Sequence, residues 1–359
     1  MTQPAPKPRA RDLGLPFPGT PGAFNAITDV AGVQVGFATL TDPALGIRTG
    51  VTAIVPRQDS NDPRPVRAGH YALNGNGEMT GTHWISDAGY FIGPVLITNT
   101  HSVGAAHHGA TAWMIDRYAD HFRLDHAWAM PVVAETYDGV LNDINGMHVT
   151  PDHAIAALNA AQGGPVAEGS SGGGNGMICY EFKGGTGTAS RRINVAGAGY
   201  TMAALVQANH GIRPWLNILG QPVGRLMPEG RMLASETGSI IVILATDAPL
   251  SALSLRQVAK RAAIGIGRGG SPGGNNSGDL FIAFSVTDEV ALPQHAGALV
   301  ERLELNPAFI DPVYLAAVEC VEEAVVNAMV AGEDVATFKP QGFTCKAIDT
   351  ARLAGMFAG

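Results

Sequence analysis

The residues best suited to chemistry are a serine and the glycine before it, at the start of an uninterrupted apolar run. Gly238-Ser239 precedes residues 240–245, all of them apolar, and turn-forming residues 246–249 end the run. A short β-branched run between turn formers predicts a strand buried on both faces. Such a strand would hold the Ser239 hydroxyl rigidly at its first residue, at the surface of the sheet, after a glycine that tolerates backbone strain.

This placement is typical of a serine that cleaves its own chain and then acts as an N-terminal nucleophile. Its hydroxyl would attack the Gly238 carbonyl, and cleavage would free the α-amine of Ser239. An α-amine has a pKa of ~7.7–8.0, so it is partly neutral at cellular pH and can accept the hydroxyl proton without a histidine. The alternative is an ordinary Gly-Ser turn leading into a core strand, since such turns are common. Asn276-Ser277 is a rival cleavage point, because it also precedes an apolar strand.

Bulk composition limits the class of protein. The chain has 359 residues, of which 46% are apolar and 15% charged, as in a well-buried globular protein. A net charge of −8 without a Lys/Arg run disfavours nucleic acid as a partner. With no run near the ~20 apolar residues of a membrane span and no signal peptide, we expect a cytoplasmic protein. Cys179, Cys320 and Cys345 are too few and too dispersed for a disulfide framework.

Other motifs carry weaker signals. Residues 169–176 are glycine-rich but lack the Lys-Ser/Thr ending of a P-loop. The G-x-G-x-x-G at Gly265, Gly267 and Gly270 follows a predicted helix, whereas a dinucleotide site needs a strand before it. The eleven histidines form no H-E-x-x-H and have no carboxylates at ligand spacing, so we expect no metal and no cofactor. A Ser-His-Asp triad stays open, because its members need not be neighbours in sequence.

Helices and buried strands are mixed along the chain, which predicts a layered α/β architecture in a single domain. Predicted strands cover residues 33–37, 51–55, 94–98, 130–134, 239–245 and 280–284. Predicted helices cover residues 103–113, 151–161, 197–208, 251–263 and 312–329, with residues 1–21 as a surface arm and residues 58–65 as a loop. The helix at 312–329 would bury Cys320 and expose Glu319, Glu322 and Glu323.

Eight blocks, in order and spanning almost the whole chain, resemble a family of self-processing aminopeptidases. The family includes the L-aminopeptidase/D-esterase-amidases and the β-peptidyl aminopeptidases. The blocks are NAITDV at 25–30, LNGNGEMTG at 73–81, LITNTHSVG at 96–104, ETYDG at 135–139, VQAN at 206–209, GSIIV at 238–242, ATDAPL at 245–250 and NSGD at 276–279. The resemblance implies a four-layer αββα sandwich, cut between Gly238 and Ser239 into chains 1–238 and 239–359. It also implies a homotetramer of cleaved pairs that acts on short peptides or on amino acid amides and esters.

Residue by residue, the resemblance assigns roles around the Ser239 nucleophile. Ser277 matches an auxiliary serine, and Asp279 matches the carboxylate near it, where some members carry Glu. Asn209 matches the residue that stabilises the oxyanion. Tyr137 matches a tyrosine at the site, and Glu135 matches a carboxylate that holds the free amine of the substrate.

Structural alternatives exist for each of these residues. Asn209 could cap a helix C-terminus, Ser277 could lie in a turn, Glu135 could end a solvated strand, and Tyr137 could be a packing residue. Two alternatives to the function also remain. One is an acyltransferase resembling ornithine acetyltransferases, although these attack with threonine and the chain has no Lys-Gly-Thr block. The other is a binding protein with an inactive site. Gly238 resembles the aminopeptidase/D-esterase branch more than the branch with Asn at that position.

Overall fold

The computed structural model describes residues 7–57, 63–287 and 292–358. In chain order its strands are β1 (Gln34–Asp42), β2 (Ile47–Val55), β3 (Val66–Ala72), β4 (Tyr90–Phe91), β5 (Val95–Asn99), β6 (Val132–Thr136), β7 (Ile178–Cys179), β8 (Phe182–Lys183), β9 (Gly185–Val195), β10 (Ala198–Asn209), β11 (Ser239–Thr246), β12 (Asp279–Ser285), β13 (Val335–Ala336) and β14 (Thr344–Cys345). Its helices are α1 (Thr82–Ala88), α2 (Val103–Arg117), α3 (Ala119–Leu124), α4 (Pro151–Asn159), α5 (Val223–Leu226), α6 (Ala252–Arg268), α7 (Asp311–Val330) and α8 (Thr350–Gly355). Most of the predicted loop at 58–65 and the first six residues of the predicted arm lie outside the described residues.

Two large sheets organise the described part of the chain. One has the strand order β4-β3-β12-β11-β10-β9, and the other has the order β1-β2-β5-β6. Each sheet contains a single parallel pair among its described strands, β11 with β12 and β5 with β6, and the other neighbours are antiparallel. A parallel pair needs a crossover connection. Helix α6 supplies it in the larger sheet, and α2 with α3 supplies it in the smaller one.

The two sheets pack face to face, and helices cover their outer faces. Apolar side chains such as Ile54, Ile97, Leu205 and Ile243 fill the space between the sheets. Helices α6 and α7 pack on the larger sheet, and α2 and α4 pack on the smaller one. The predicted single-domain αββα sandwich is therefore confirmed.

Strand β11 lies in the interior of the larger sheet, as its apolar run predicts. Ile241 and Ile243 point into the space between the sheets, whereas Ile240, Val242 and Leu244 point toward the helices. This alternation is the two-residue period of a strand, and both faces are buried because a layer covers each. The first residue of the strand therefore has a rigid support.

The prediction of a helix at residues 197–208 was wrong, because this segment forms β10. Met202 and Ala204 face α7, whereas Ala203 and Leu205 face the other sheet. Since both faces of the strand are apolar, the sequence shows no alternation that would separate a buried strand from a buried helix. The error concerned an element that positions the site, because Asn209 is the last residue of β10.

The three glutamates of α7 that were predicted to face solvent are buried instead. Arginines from the N-terminal segment, from β9 and from the end of α6 cover this face of the helix. The pairs are Glu323 with Arg11 at 2.9 Å and with Arg191 at 2.6 Å, Glu319 with Arg191 at 3.1 Å, and Glu322 with Arg268 at 3.1 Å. Buried carboxylates are tolerated when they are paired and hydrogen-bonded. Periodicity within one helix cannot reveal cations that other elements bring.

The glycine-rich segments have structural roles. Residues 172–176 form a buried 3₁₀ turn between the sheets, where the amides of Gly172 and Gly173 donate to threonine hydroxyls of the smaller sheet. Gly265 and Gly267 lie inside α6. The three cysteines are buried free thiols. Among the described residues, no helix has both the length and the apolar character needed to cross a membrane.

Candidate active site

Ser239 is the first residue of β11, and its neighbours on both sides are the predicted site residues. Asn209, at the end of β10, is its cross-strand partner. On the other side, Ile240 pairs with Asp279 at the start of β12. The Ser239 side chain is almost fully buried, and its Oγ accepts a hydrogen bond from the Gly278 amide at 3.0 Å. The sheet register alone therefore brings the predicted nucleophile between Asn209 and Asp279.

Gly238 packs closely against the end of β10. A Cβ at this position would lie 1.9 Å from the Asn209 carbonyl oxygen, so a larger residue would force the two segments apart. The left-handed backbone conformation that favours glycine is not involved, because Gly238 does not have a positive φ. Gly238 is therefore explained by the close approach of the Asn209 carbonyl and not, as the sequence suggested, by backbone strain.

Ser277 and Asp279 form a hydrogen-bonded pair beside the nucleophile. Ser277 Oγ donates to Asp279 Oδ1 at 2.5 Å. Burial raises the pKa of Asp279, while hydrogen bonds from Ser277 and Asn74 lower it. Asn74 binds Asp279 twice, since its Oδ1 accepts from the Asp279 amide at 2.7 Å and its Nδ2 donates to Oδ2 at 3.2 Å. Asn74 lies in the quoted block at 73–81 but was not singled out, because an Asn-Gly pair is also an ordinary turn signal.

Asn209 connects three segments of chain. Its Oδ1 accepts from the Ile178 amide at 2.8 Å, and its Nδ2 donates to the Tyr137 carbonyl at 3.0 Å. An amide Nδ2 carries two hydrogens, so a second donor remains after the bond to Tyr137. The alternative of a helix C-cap is excluded, because Asn209 ends a strand.

Glu135 lies near the end of β6 and is buried, which excludes the alternative of a solvated strand end. Oε1 accepts from the Glu78 amide at 2.9 Å, and Oε2 accepts from the Thr100 hydroxyl. Burial raises the pKa of Glu135, and these two hydrogen bonds lower it. A Cβ on Gly77 would lie 3.2 Å from both Glu135 Oε1 and the Gly278 Cα, so the loop at 73–79 connects Glu135 to the Ser239 environment.

Tyr137 lies at the site through its backbone and is about one-third exposed through its ring. The Lys339 ammonium lies 5.5 Å from the ring centroid. The ring is also close to Gly139, where a Cβ would lie 2.4 Å from it. The backbone of Tyr137 thus contacts Asn209, while its partly exposed ring contacts Lys339 and Gly139.

No histidine occupies the position of a triad base among the described residues, since the partner of Ser239 Oγ is the Gly278 amide. His210 follows Asn209 but is buried, and burial lowers its pKa to about 3. It contacts Cys179 at 3.8 Å through Nδ1. Within the described ranges, no three His, Cys, Asp or Glu side chains are grouped so that they could hold a metal ion.

A model of peptidase family S58 matches residues 25–342. The chain belongs to this family. It is 47% identical to the β-peptidyl aminopeptidase BapA of Sphingosinicella microcystinivorans, over 96% of this chain and 91% of that protein.

Solved structures agree with this assignment. The L-aminopeptidase D-Ala-esterase/amidase of Ochrobactrum anthropi, described as a prototype of the serine aminopeptidases and a variant of the Ntn hydrolase fold, superposes with a TM-score of 0.93. It is 55% identical, and the match covers 97% of both chains. A β-aminopeptidase of Burkholderia sp. gives a TM-score of 0.87 at 44% identity, covering 97% of this chain and 98% of the other.

These relatives confirm the predicted family, its fold and its class of activity. The family member described here is a hydrolase, a serine aminopeptidase. The relatives give no support to the acyltransferase alternative.

Proposed function

We propose that the chain cuts itself between Gly238 and Ser239 and then uses Ser239 as an N-terminal nucleophile. The observation that carries the proposal is the surroundings of Ser239 Oγ. This hydroxyl is held by the Gly278 amide at the start of an interior strand, and no histidine is bonded to it among the described residues. The base must come from elsewhere, and an α-amine freed at Ser239 would lie on the same residue.

In the first reaction, Ser239 Oγ attacks the Gly238 carbonyl carbon and the C–N bond breaks. The hydroxyl proton passes to the departing nitrogen, which becomes the α-amine, and an ester joins Gly238 to Oγ. Water then hydrolyses this ester. The products are residues 1–238, which end in a Gly238 carboxylate, and residues 239–359, which begin with Ser239.

In the second reaction, the free amine of a substrate binds the Glu135 carboxylate. Ser239 Oγ attacks the first carbonyl of the substrate, and its proton passes through the α-amine to the leaving group. Water then releases the acyl group by the same route. The second Nδ2 hydrogen of Asn209 and the Gly278 amide would donate to the oxyanion, and such preorganised donors are among the largest catalytic terms. Ser277 and Asp279 would orient the new amine.

The substrates of this proposal are short peptides and amino acid amides or esters with a free N-terminus. Both the β-peptidyl aminopeptidases and the L-aminopeptidase D-Ala-esterase/amidase among the relatives support this range. Buried Glu135 supports it as well, because its carboxylate accepts from neutral donors among the described residues and is therefore suited to an ammonium group. A homotetramer of cleaved pairs in the cytoplasm remains a prediction, and light scattering of the purified protein tests the assembly.

The test is the intact mass of the purified protein, combined with amidase activity. We expect two chains from the wild type, and one uncut, inactive chain from Ser239→Ala. Ser235→Ala is the matched control, because Ser235 is exposed in the same connecting segment and should not affect cleavage. Two chains from Ser239→Ala, or an active wild type that remains a single chain, would refute the proposal.

A further inference from the structure

The carboxyl group of Glu236 lies two residues before the proposed cleavage site and is not used in the steps above. It is 93% buried, with a relative exposure of 7%. Oε1 accepts a hydrogen bond from the Gly211 amide at 2.5 Å. Oε2 faces Gly274, and a Cβ built on Gly274 would lie 2.6 Å from this oxygen. Among the described residues, Oε2 has no hydrogen-bond partner.

Glu236 lies between the two segments that carry the catalytic groups. On one side, the Gly211 amide that binds it lies two residues beyond Asn209, whose carbonyl contacts Gly238. On the other side, the Gly274 carbonyl accepts from Asn74 Nδ2 at 3.0 Å, and the same nitrogen binds Asp279. The Glu236 carboxyl therefore joins the segment that follows Asn209 to the segment that precedes Ser277 and Asp279, and Glu236 itself lies two residues before the peptide bond to be cut.

The surroundings favour a carboxyl group that can exchange a proton. Burial raises the pKa of Glu236 and the charge of Asp279 raises it further, while the backbone amides of Gly211 and Gly274 lower it. Tyr180 and Cys179 are further titratable neighbours, and the charge of Glu236 helps to raise the pKa of both. Glu236 therefore lies within a group of buried titratable side chains.

We propose that Glu236 is the general base for the water that hydrolyses the Gly238–Ser239 ester. This inference depends on the proposed self-cleavage. Oε2 takes one proton from the water while the water oxygen bonds to the Gly238 carbonyl carbon. The C–Oγ bond then breaks, and the proton returns from Glu236 to Ser239 Oγ. The carboxylate is regenerated, and the products are the Gly238 carboxylic acid and the free Ser239 hydroxyl.

Glu236→Gln tests this role, because it keeps the acceptor for the Gly211 amide but removes the base. The full chain is made by cell-free synthesis, and cleavage is followed over time by intact mass. We expect cleavage to slow by about 10²–10⁴-fold, the usual contribution of a general base. Glu229→Gln is the matched control, since Glu229 is an exposed carboxylate of the same segment and should leave the rate unchanged.

Hydroxylamine distinguishes a base from a merely structural residue. If water attack is the impaired step, the ester accumulates in Glu236→Gln, and hydroxylamine cleaves it to leave a hydroxamate on Gly238 of the 1–238 chain. A slow variant that hydroxylamine does not cleave would overturn the inference, because the defect would then precede ester formation. Cleavage of Glu236→Gln at the wild-type rate would overturn it as well, and would assign the hydrolysis to the Ser239 amine.

Should Glu236→Gln fail to fold, Glu236→Asp decides by the same two measurements, because it retains the carboxylate but withdraws it by one methylene. Slow cleavage that hydroxylamine accelerates supports the role, and wild-type cleavage overturns it. Failure of the proposed self-cleavage would look different. In that case the wild-type chain would stay intact or Ser239→Ala would be cut, whatever residue stands at position 236.

Discussion

Replacing Asn209 by alanine separates its chemical role from its structural one. Two contacts are lost, the bond from the Ile178 amide to Oδ1 and the bond from Nδ2 to the Tyr137 carbonyl. Because the Ile178 amide would remain buried without its acceptor, we expect a loss of about 1–3 kcal/mol in the free energy of unfolding. The sequence alone did not predict this cost, since it gave no indication that Asn209 joins separate segments.

The catalytic effect should be larger. Loss of one oxyanion donor typically raises the barrier by ~2.7–4 kcal/mol, which corresponds to a fall of about 10²–10³-fold in kcat. The donor is preorganised, because Nδ2 is held at 3.0 Å from the Tyr137 carbonyl before any substrate arrives. We expect kcat to fall while KM for a small amide changes little, because the interaction forms in the transition state.

Gln207→Ala provides the control. Gln207 lies two residues earlier on the same face of β10, and its Nε2 donates to the Thr98 carbonyl at 3.0 Å and to the Thr136 hydroxyl at 2.8 Å. It resembles Asn209 in burial and bonding but pairs with Ile241, one repeat beyond Ser239. Steady-state kinetics on cleaved protein and urea unfolding should show similar destabilisation in both variants and a large kcat loss only in Asn209→Ala. Equal losses of kcat in the two variants would refute the oxyanion role.

Three further changes test Glu135, Gly278 and Asp138. Glu135→Gln should lower kcat/KM for free-amine substrates by about 10–150-fold, because a charged hydrogen bond contributes about 1.5–3 kcal/mol; unchanged kinetics would contradict its role. Gly278→Ala should slow both self-cleavage and turnover, because its Cβ would lie 2.3 Å from a backbone oxygen. Gly75→Ala is the control, since the space around Gly75 is free and neither rate should change. Equal rates in the two variants, measured by intact mass and by kinetics, would contradict this prediction. Burial raises the pKa of Asp138 from 3.8 to about 6, so the folded state binds its proton more tightly and the free energy of unfolding should fall by up to ~3 kcal/mol as the pH rises from about 4 to about 6. Asp138→Asn should remove this contribution to the slope in urea unfolding, and an unchanged slope would exclude Asp138 as a source.

The sequence predicts most of the scaffold, because its strongest signals are local. The run after Ser239 is long, β-branched and bounded by turns, and it forms β11 as expected. Ser251 was predicted to cap a helix, and its Oγ accepts from the Ser254 amide at 3.1 Å at the start of α6. Signals of this kind depend on neighbours a few residues apart, so a single sequence contains them.

Features that depend on distant parts of the chain were not predictable in the same way. The sequence predicts a helix where β10 lies, because the two faces of this strand meet two different apolar layers. The buried Glu323 was expected in solvent, since its partners Arg11 and Arg191 lie far away in sequence. The family resemblance predicts Asn209 and Glu135 as site residues. Hydrophobic periodicity does not predict that β10 and β6, which carry them, come together at one site.

Asn74 and Glu236 were missed for a related reason. Each is a polar residue in a segment without regular structure, where sequence patterns predict exposure. Asn74 is bonded to Asp279 across some two hundred residues, and Glu236 is bonded to Gly211. A polar side chain in a loop is informative only once its burial and its partners are known.

The electrostatics of the uncut chain support cleavage as a step toward a balanced site. Glu135 and Asp279 are buried, and their hydrogen-bond partners among the described residues are neutral groups. A buried carboxylate without a cation is costly, and its raised pKa expresses that cost. In the proposed mechanism two amines arrive, the new α-amine beside Asp279 and the amine of the substrate beside Glu135. Each amine would stabilise the charged form of its carboxylate whenever it carries a proton, so the same burial that disfavours the empty site would favour a cut chain with an amine substrate bound.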